Sequence, residues 1–131
     1  MRSSMITNPA GLHDPVGFGY SHVADLGNLV FVAGQYASGP DGQVQIDGFE
    51  EQVGLAFENL GVALRSAGLG YADVFQLRTY VVDHSGEKLG VLGRVIAKYW
   101  PERPPVQTLL GVAALALPEM AFEVDAVAVR R

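Results

Sequence analysis

Apolar positions along this chain repeat with two different periods, and the switches between them predict the elements. Strict alternation marks Ala121 to Val129, where Phe122, Val124, Ala126 and Ala128 share one face. Glu123, Asp125, Val127 and Val129 share the other, which begins acidic and ends apolar. Upstream, Pro104 to Val112 reads as a second strand, joined to the first by a link through Pro118. Leu29 to Ala33 is apolar at every position, so both its faces should be covered. With Tyr20 to Asp25 it forms a hairpin through Leu26-Gly27-Asn28. In Val74 to Val82, Phe75, Leu77, Thr79 and Val81 face one way and Val74, Gln76, Arg78, Tyr80 and Val82 the other. Gln43 to Ile46 adds a short edge strand, and Met1 to Val16, broken by two prolines, an extended leading segment.

Two stretches carry the helical period instead. Asp47 and Glu50 have capping-box spacing, and Val53, Ala56, Phe57, Leu60, Ala63 and Leu64 fall on one stripe ending near Ala67, with Gly68 in the C-terminal glycine position. Ser85 caps a second helix with Leu89, Leu92, Val95, Ile96 and Tyr99 as its stripe, stopped by Pro101. The order is β-β-(β)-α-β-α-β-β, an α+β pattern. Right-handed crossovers put both helices on one face of a sheet. No third helix is present to cover the opposite face, although several strands are apolar on both sides. Self-association through that face is the expectation.

Composition narrows the function classes. The 131 residues predict a single domain over 1–131. There is no cysteine, which removes thiol chemistry and Cys-zinc sites. No leader pattern and no membrane-length apolar run is seen, so a cytoplasmic location and no membrane partner are expected. A net charge of −5 repels phosphate backbones, and the one arginine cluster is Arg130-Arg131, so no nucleic-acid partner is expected.

Few residues stand out for chemistry. Glu123 lies beside apolar neighbours; a carboxylate so placed is solvated at a rim, paired (Arg78 being the candidate) or in a pocket. Asp125 follows two residues on and is read as structural. His13, His22 and His84 show no ligand spacing, and no metal or cofactor is expected. His22 either lines a cleft near Tyr20 or is an ordinary strand histidine. Gly17-Phe18-Gly19 lacks the third glycine and helix of a dinucleotide site.

The runs Asn8-Pro9, Val16-Gly17, Tyr20-Ser21 and Gly27 to Gln35, then Gln52, Phe57-Glu58-Asn59-Leu60, Ala67-Gly68, Asp73-Val74, Pro105-Val106-Gln107-Thr108 and Phe122-Glu123-Val124 together resemble the Rid family, the YjgF/RidA reactive-intermediate deaminases. The resemblance spans nearly the whole chain and weakens around Gly86 to Gly93. It implies an α+β fold like chorismate mutase, with a mixed sheet backed by two helices and a homotrimer whose open faces form an inner barrel. It implies clefts between subunits for a small imine, enamine or carboxylic metabolite. There Glu123 positions water or substrate nitrogen, Tyr20 lines the pocket, and the backbones of Gly34 and Leu109 line it too. The family's Arg, which clamps a substrate carboxylate, is replaced by Gln107, and Gly93 stands where the family often has Asn. Gln is neutral and cannot reproduce a guanidinium clamp. Arg103 or Arg78 would have to supply a cation from another angle. Two readings therefore stand: a cofactor-free imine or enamine deaminase with a non-Arg anchor, and a non-catalytic binding trimer.

Overall fold

The structure, a computed structural model, describes residues 2–131; Met1 of the predicted leading segment lies outside them. Six strands form one mixed sheet, in the order β1-β2-β3-β6-β4-β5. They are β1 (Ile6–Thr7), β2 (Val23–Asp25), β3 (Leu29–Gln35), β4 (Val74–Val82), β5 (Val106–Val112) and β6 (Phe122–Val129). Besides the short α1 (Arg2–Met5), two helices, α2 (Phe49–Ser66) and α3 (Gly86–Tyr99), cover one face. β6 lies between β3 and β4 and is antiparallel to both, whereas β4 and β5 are parallel and joined through α3.

The alternation of β6 holds without a break: its even-numbered residues are buried and its odd-numbered ones half-buried. All six residues of the predicted α2 stripe are fully buried, and Leu92 and Ile96 of α3 join them in the same core. Phe57 stacks on Phe122, fixing α2 to the central strand through two large apolar side chains. Gln52 fastens the long link before β6. Its amide donates to the carbonyls of Ile46 and Glu119, and its oxygen accepts from the Ala121 N–H.

Several expectations are corrected. The leading segment is not simply extended, since it contains α1, β1 and a 3₁₀ turn at Val16–Phe18. The first hairpin strand starts at Val23, not Tyr20, because the side chain of Asn8 takes the His22 N–H and so replaces a ladder partner. Gln43 to Ile46 makes only one bridge, Ser38 to Val44. Helix α2 is preceded by Gly48, with no side-chain cap from Asp47. The Glu51 carboxylate folds back onto Gly48, where a Cβ would meet its oxygen at 1.9 Å. In β4, Val74 is buried and Phe75 is 66% exposed, the reverse of the alternating reading. A β-bulge between Val74 and Gln76 inserts Phe75 as an extra residue and inverts the phase at that end. Ser85 caps α3 as expected, accepting from the Lys88 N–H at 3.2 Å.

Away from the helices the sheet face is open. Phe31 is 40% exposed and Leu110 47%, and Val127 and Val129 are half-buried. A depression of about 380 Å³ lies over this face, bounded in part by Phe31, Gly34, Asp125 and Val127.

Candidate functional site

The site grows from a second bulge. In β3, Val32 pairs with Ala126 and Gln35 with Val124, so Ala33 and Gly34 together oppose the single residue Asp125. The extra residue turns Gln35 inward, where it is buried, and brings the Gly34 backbone against Glu123. A Cβ at Gly34 would stand 2.6 Å from both Cδ and Oε2 of Glu123. Glycine is required here by close approach, not by a left-handed conformation. Gly34→Ala should fold, push the Glu123 carboxylate out of its seat, and cost at least about tenfold in any turnover that uses it. Kinetics beside a melting curve would separate those effects, and an unchanged rate would show the seat to be irrelevant.

Glu123 does not pair with Arg78. The Arg78 Nε donates to Asp125 Oδ1 at 3.0 Å, and the Tyr80 hydroxyl donates to Oδ2 at 2.8 Å. Asp125 is thus fully engaged in holding β4 to β6. Among the described residues no donor reaches the Glu123 carboxylate. Burial, followed by repulsion from Asp125, pushes its pKa above the ordinary carboxylate value. A carboxyl so tuned can take or return a proton nearer neutral pH than an exposed one.

Tyr20 is near enough to feel the Glu123 charge. Its phenol is pushed up, mainly by burial and to a lesser extent by Tyr36 and the Glu123 charge. Its oxygen is hydrogen-bonded to His13 Nε2 at 2.6 Å. His13 Nδ1 is hydrogen-bonded in turn to Ser38 Oγ at 3.2 Å, and Ser38 Oγ accepts from Asn59 Nδ2 at 3.3 Å. Beside them the Tyr36 O–H donates to the Gly42 carbonyl at 2.6 Å. His22 lies beneath, buried. It donates Nε2–H to the His13 carbonyl and accepts from Gln35 at Nδ1, so it is neutral and structural. Burial lowers the pKa of both histidines. His13, Ser38 and Asn59 carry no sequence signal as a group, since 46 residues separate the ends of the set and only the fold gathers them.

Gln107 and Leu109 sit elsewhere. Gln107 pairs in register with Leu77, and Leu109 with Thr79, both on the helix-covered face, whereas Glu123 pairs with Tyr80 on the open face. Within one protomer the expected site residues thus fall into two groups on opposite faces of the sheet. Gln107 and Leu109 border a groove of about 160 Å³ between β5 and α3, together with Leu89, Leu92, Gly93 and Ile96. The Gln107 Oε1 accepts from Thr79 Oγ1 at 2.9 Å, which leaves the amide N–H₂ as the polar group offered to the groove. Arg78 is committed to Asp125 on the other face. No cluster of metal-binding side chains occurs among the described residues, and no helix is long and apolar enough to cross a membrane.

Comparison with known proteins covers almost the entire chain. The family profile described as Endoribonuclease L-PSP matches residues 13–130. The RutC family protein YjgH of Escherichia coli is 30% identical over 121 residues, 92% of this chain and 90% of that one. The solved structure of YjgH superposes with a TM-score of 0.84, covering 95% of this chain and 96% of its own. Reactive Intermediate Deaminase A of Arabidopsis thaliana chloroplasts is 29% identical over 99 residues, 75% of this chain and 52% of that protein. The Rid-family protein YyfB of Yersinia pestis, itself of unknown function, is 36% identical with a TM-score of 0.73 over 95% of this chain and 97% of its own. With the six-stranded sheet, the two covering helices and the Gly34–Glu123 contact in place, these likenesses establish that the chain belongs to the Rid (YjgF/RidA) family.

Proposed function

We propose that the protein is a homotrimer whose subunit clefts hydrolyse a small imine or enamine to a carbonyl compound and ammonia without a cofactor. The observation that carries this reading is the Glu123 carboxylate, seated against Gly34 with no donor reaching it among the described residues and its pKa raised. Water attacks the imine carbon. Glu123 orients that water and takes its proton. Backbone groups at Gly34 and Leu109 polarise the substrate, and the Gln107 amide donates to it. Association of open faces explains why Phe31 and Leu110 remain exposed. It also unites the two half-sites: Glu123, Gly34 and Tyr20 of one subunit would meet Gln107 and Leu109 of the next.

The test is imine hydrolysis, with imines generated in place from several amino acids by an oxidase and trapped as they persist. Wild type should shorten imine lifetime and Glu123→Ala should not; equal lifetimes with and without wild type would sink the deaminase reading. Light scattering should give three times the 14.0 kDa chain mass. Leu110→Glu, which places a charge in the proposed barrel, should shift that mass towards the monomer. A monomeric wild type would remove the shared cleft.

One observation favours a second reading, a trimer that binds a metabolite without turning it over. Gln107 is a neutral amide, and the resemblance places it where the family's arginine stands. The family profile's description also names an endoribonuclease. The net charge of −5 opposes a polyanionic substrate, so RNA cleavage is the weaker reading.

A further inference from the structure

The hydrogen-bonded chain through His13 lies outside every residue the proposed chemistry uses, and it terminates on one that the chemistry does use. We infer that His13 is a positioning residue for Tyr20: the hydrogen bond between its Nε2 and the phenol oxygen holds that hydroxyl in place against a bound ligand. The inference rests on the reading that Tyr20 faces ligand.

The geometry leaves little freedom. The phenol oxygen is tied to His13 Nε2 at 2.6 Å, and His13 Nδ1 to Ser38 Oγ, which Asn59 holds in turn. A hydroxyl anchored in this way keeps a further hydrogen-bonding position for a ligand. At the other half-site the Gln107 amide, its oxygen held by Thr79, offers a donor.

His13 is built to hold its place. It is 4% exposed, and its ring meets Phe18, Tyr20 and His22 edge-on and Tyr36 at a tilt. The titratable groups acting on it are His22, Asp14 and Asp41, with the phenols of Tyr20 and Tyr36 beside them. Burial and His22 lower its pKa and favour the neutral ring, which has one donor and one acceptor to share between Tyr20 and Ser38.

A double-mutant cycle on the full chain tests this. His13→Phe keeps the ring and loses both hydrogen bonds. His13→Gln places an amide near the position of Nε2, where it can donate or accept, and should restore the hydrogen bond. His13→Phe and Tyr20→Phe should each lower kcat/KM for the imine by about tenfold, the double variant no further, and His13→Gln should stay within about threefold of wild type. Additive losses, an unaffected His13→Phe, or a His13→Gln as poor as His13→Phe would each overturn the inference. Should wild type show no turnover, the deaminase reading fails, and imidazole NMR still decides this one. The His13 Nε2 resonance should shift between wild type and Tyr20→Phe. A signal indifferent to Tyr20 overturns the inference.

Discussion

Glu123→Gln should slow the proposed imine hydrolysis by roughly 100- to 10,000-fold, the usual contribution of a positioned acid or base, while making the protein more stable at neutral pH. The two effects share one cause. Burial and the nearby Asp125 raise the Glu123 pKa in the folded chain above its ordinary value. Between that ordinary value and the raised one, the folded state binds more protons than the unfolded state. Stability from this group is therefore fully present at low pH and lost as pH rises through the raised value. At pH 7 the ionised carboxylate is a net cost, and the neutral amide removes it. The melting temperature of Glu123→Gln should exceed that of wild type at pH 7, and the difference should shrink to nothing towards pH 4. His13 and His22 act with the opposite sign. Their pKa values are lowered, so their contribution is lost as pH falls below the ordinary histidine value, equally in both proteins. Subtracting the two melting curves isolates Glu123. A variant less stable than wild type at pH 7 would mean that the carboxylate has a stabilising donor after all.

Much of this fold was legible because its signals are local. The unbroken alternation of β6 requires only that one face be buried, and the α2 stripe only a period of 3.6. What escaped were the places where one residue changes the phase. Phe75 and the Ala33-Gly34 pair are bulged, and nothing in Val74 to Val82 or Leu29 to Gln35 announces an extra residue against a partner strand not yet known. Asp47 lost the cap to Gly48 because the Glu51 carboxylate reaches back over a residue with no Cβ. For the site, Glu123 was visible as a carboxylate among aliphatics, but its seat on Gly34 depends on the β3 bulge. Arg78, the obvious partner by charge, went to Asp125 because those two residues are directly paired in register. The separation of Gln107 from Glu123 depends on the strand order, with β4 between β5 and β6, which no local pattern contains.

That separation frames the second large effect. Gln107→Arg should strengthen binding of a small 2-oxo acid such as 2-oxobutyrate by roughly tenfold to a hundredfold, since a hydrogen bond to a charged group is worth about 1.5–3 kcal/mol. The groove that Gln107 borders is otherwise formed by Leu89, Leu92, Gly93, Ile96 and Leu109, so an arginine there would be the groove's sole cation. Arg78 is spent on Asp125, and Arg103 is exposed on the loop before β5. With arginine at 107 the Thr79 hydroxyl loses the Gln107 oxygen, but it can turn to the Thr108 carbonyl at 3.5 Å and accept from the guanidinium. Titration calorimetry with 2-oxobutyrate and with its amide would read the preference directly. Wild type should favour the amide, and Gln107→Arg the acid. Wild type that already prefers the acid would mean that a cation reaches the groove from elsewhere, with Arg103 the first residue to mutate. If the arginine variant also gains turnover on iminobutyrate, the Glu123 half of the site is intact, and residue 107 alone separates this chain from a 2-iminocarboxylate deaminase.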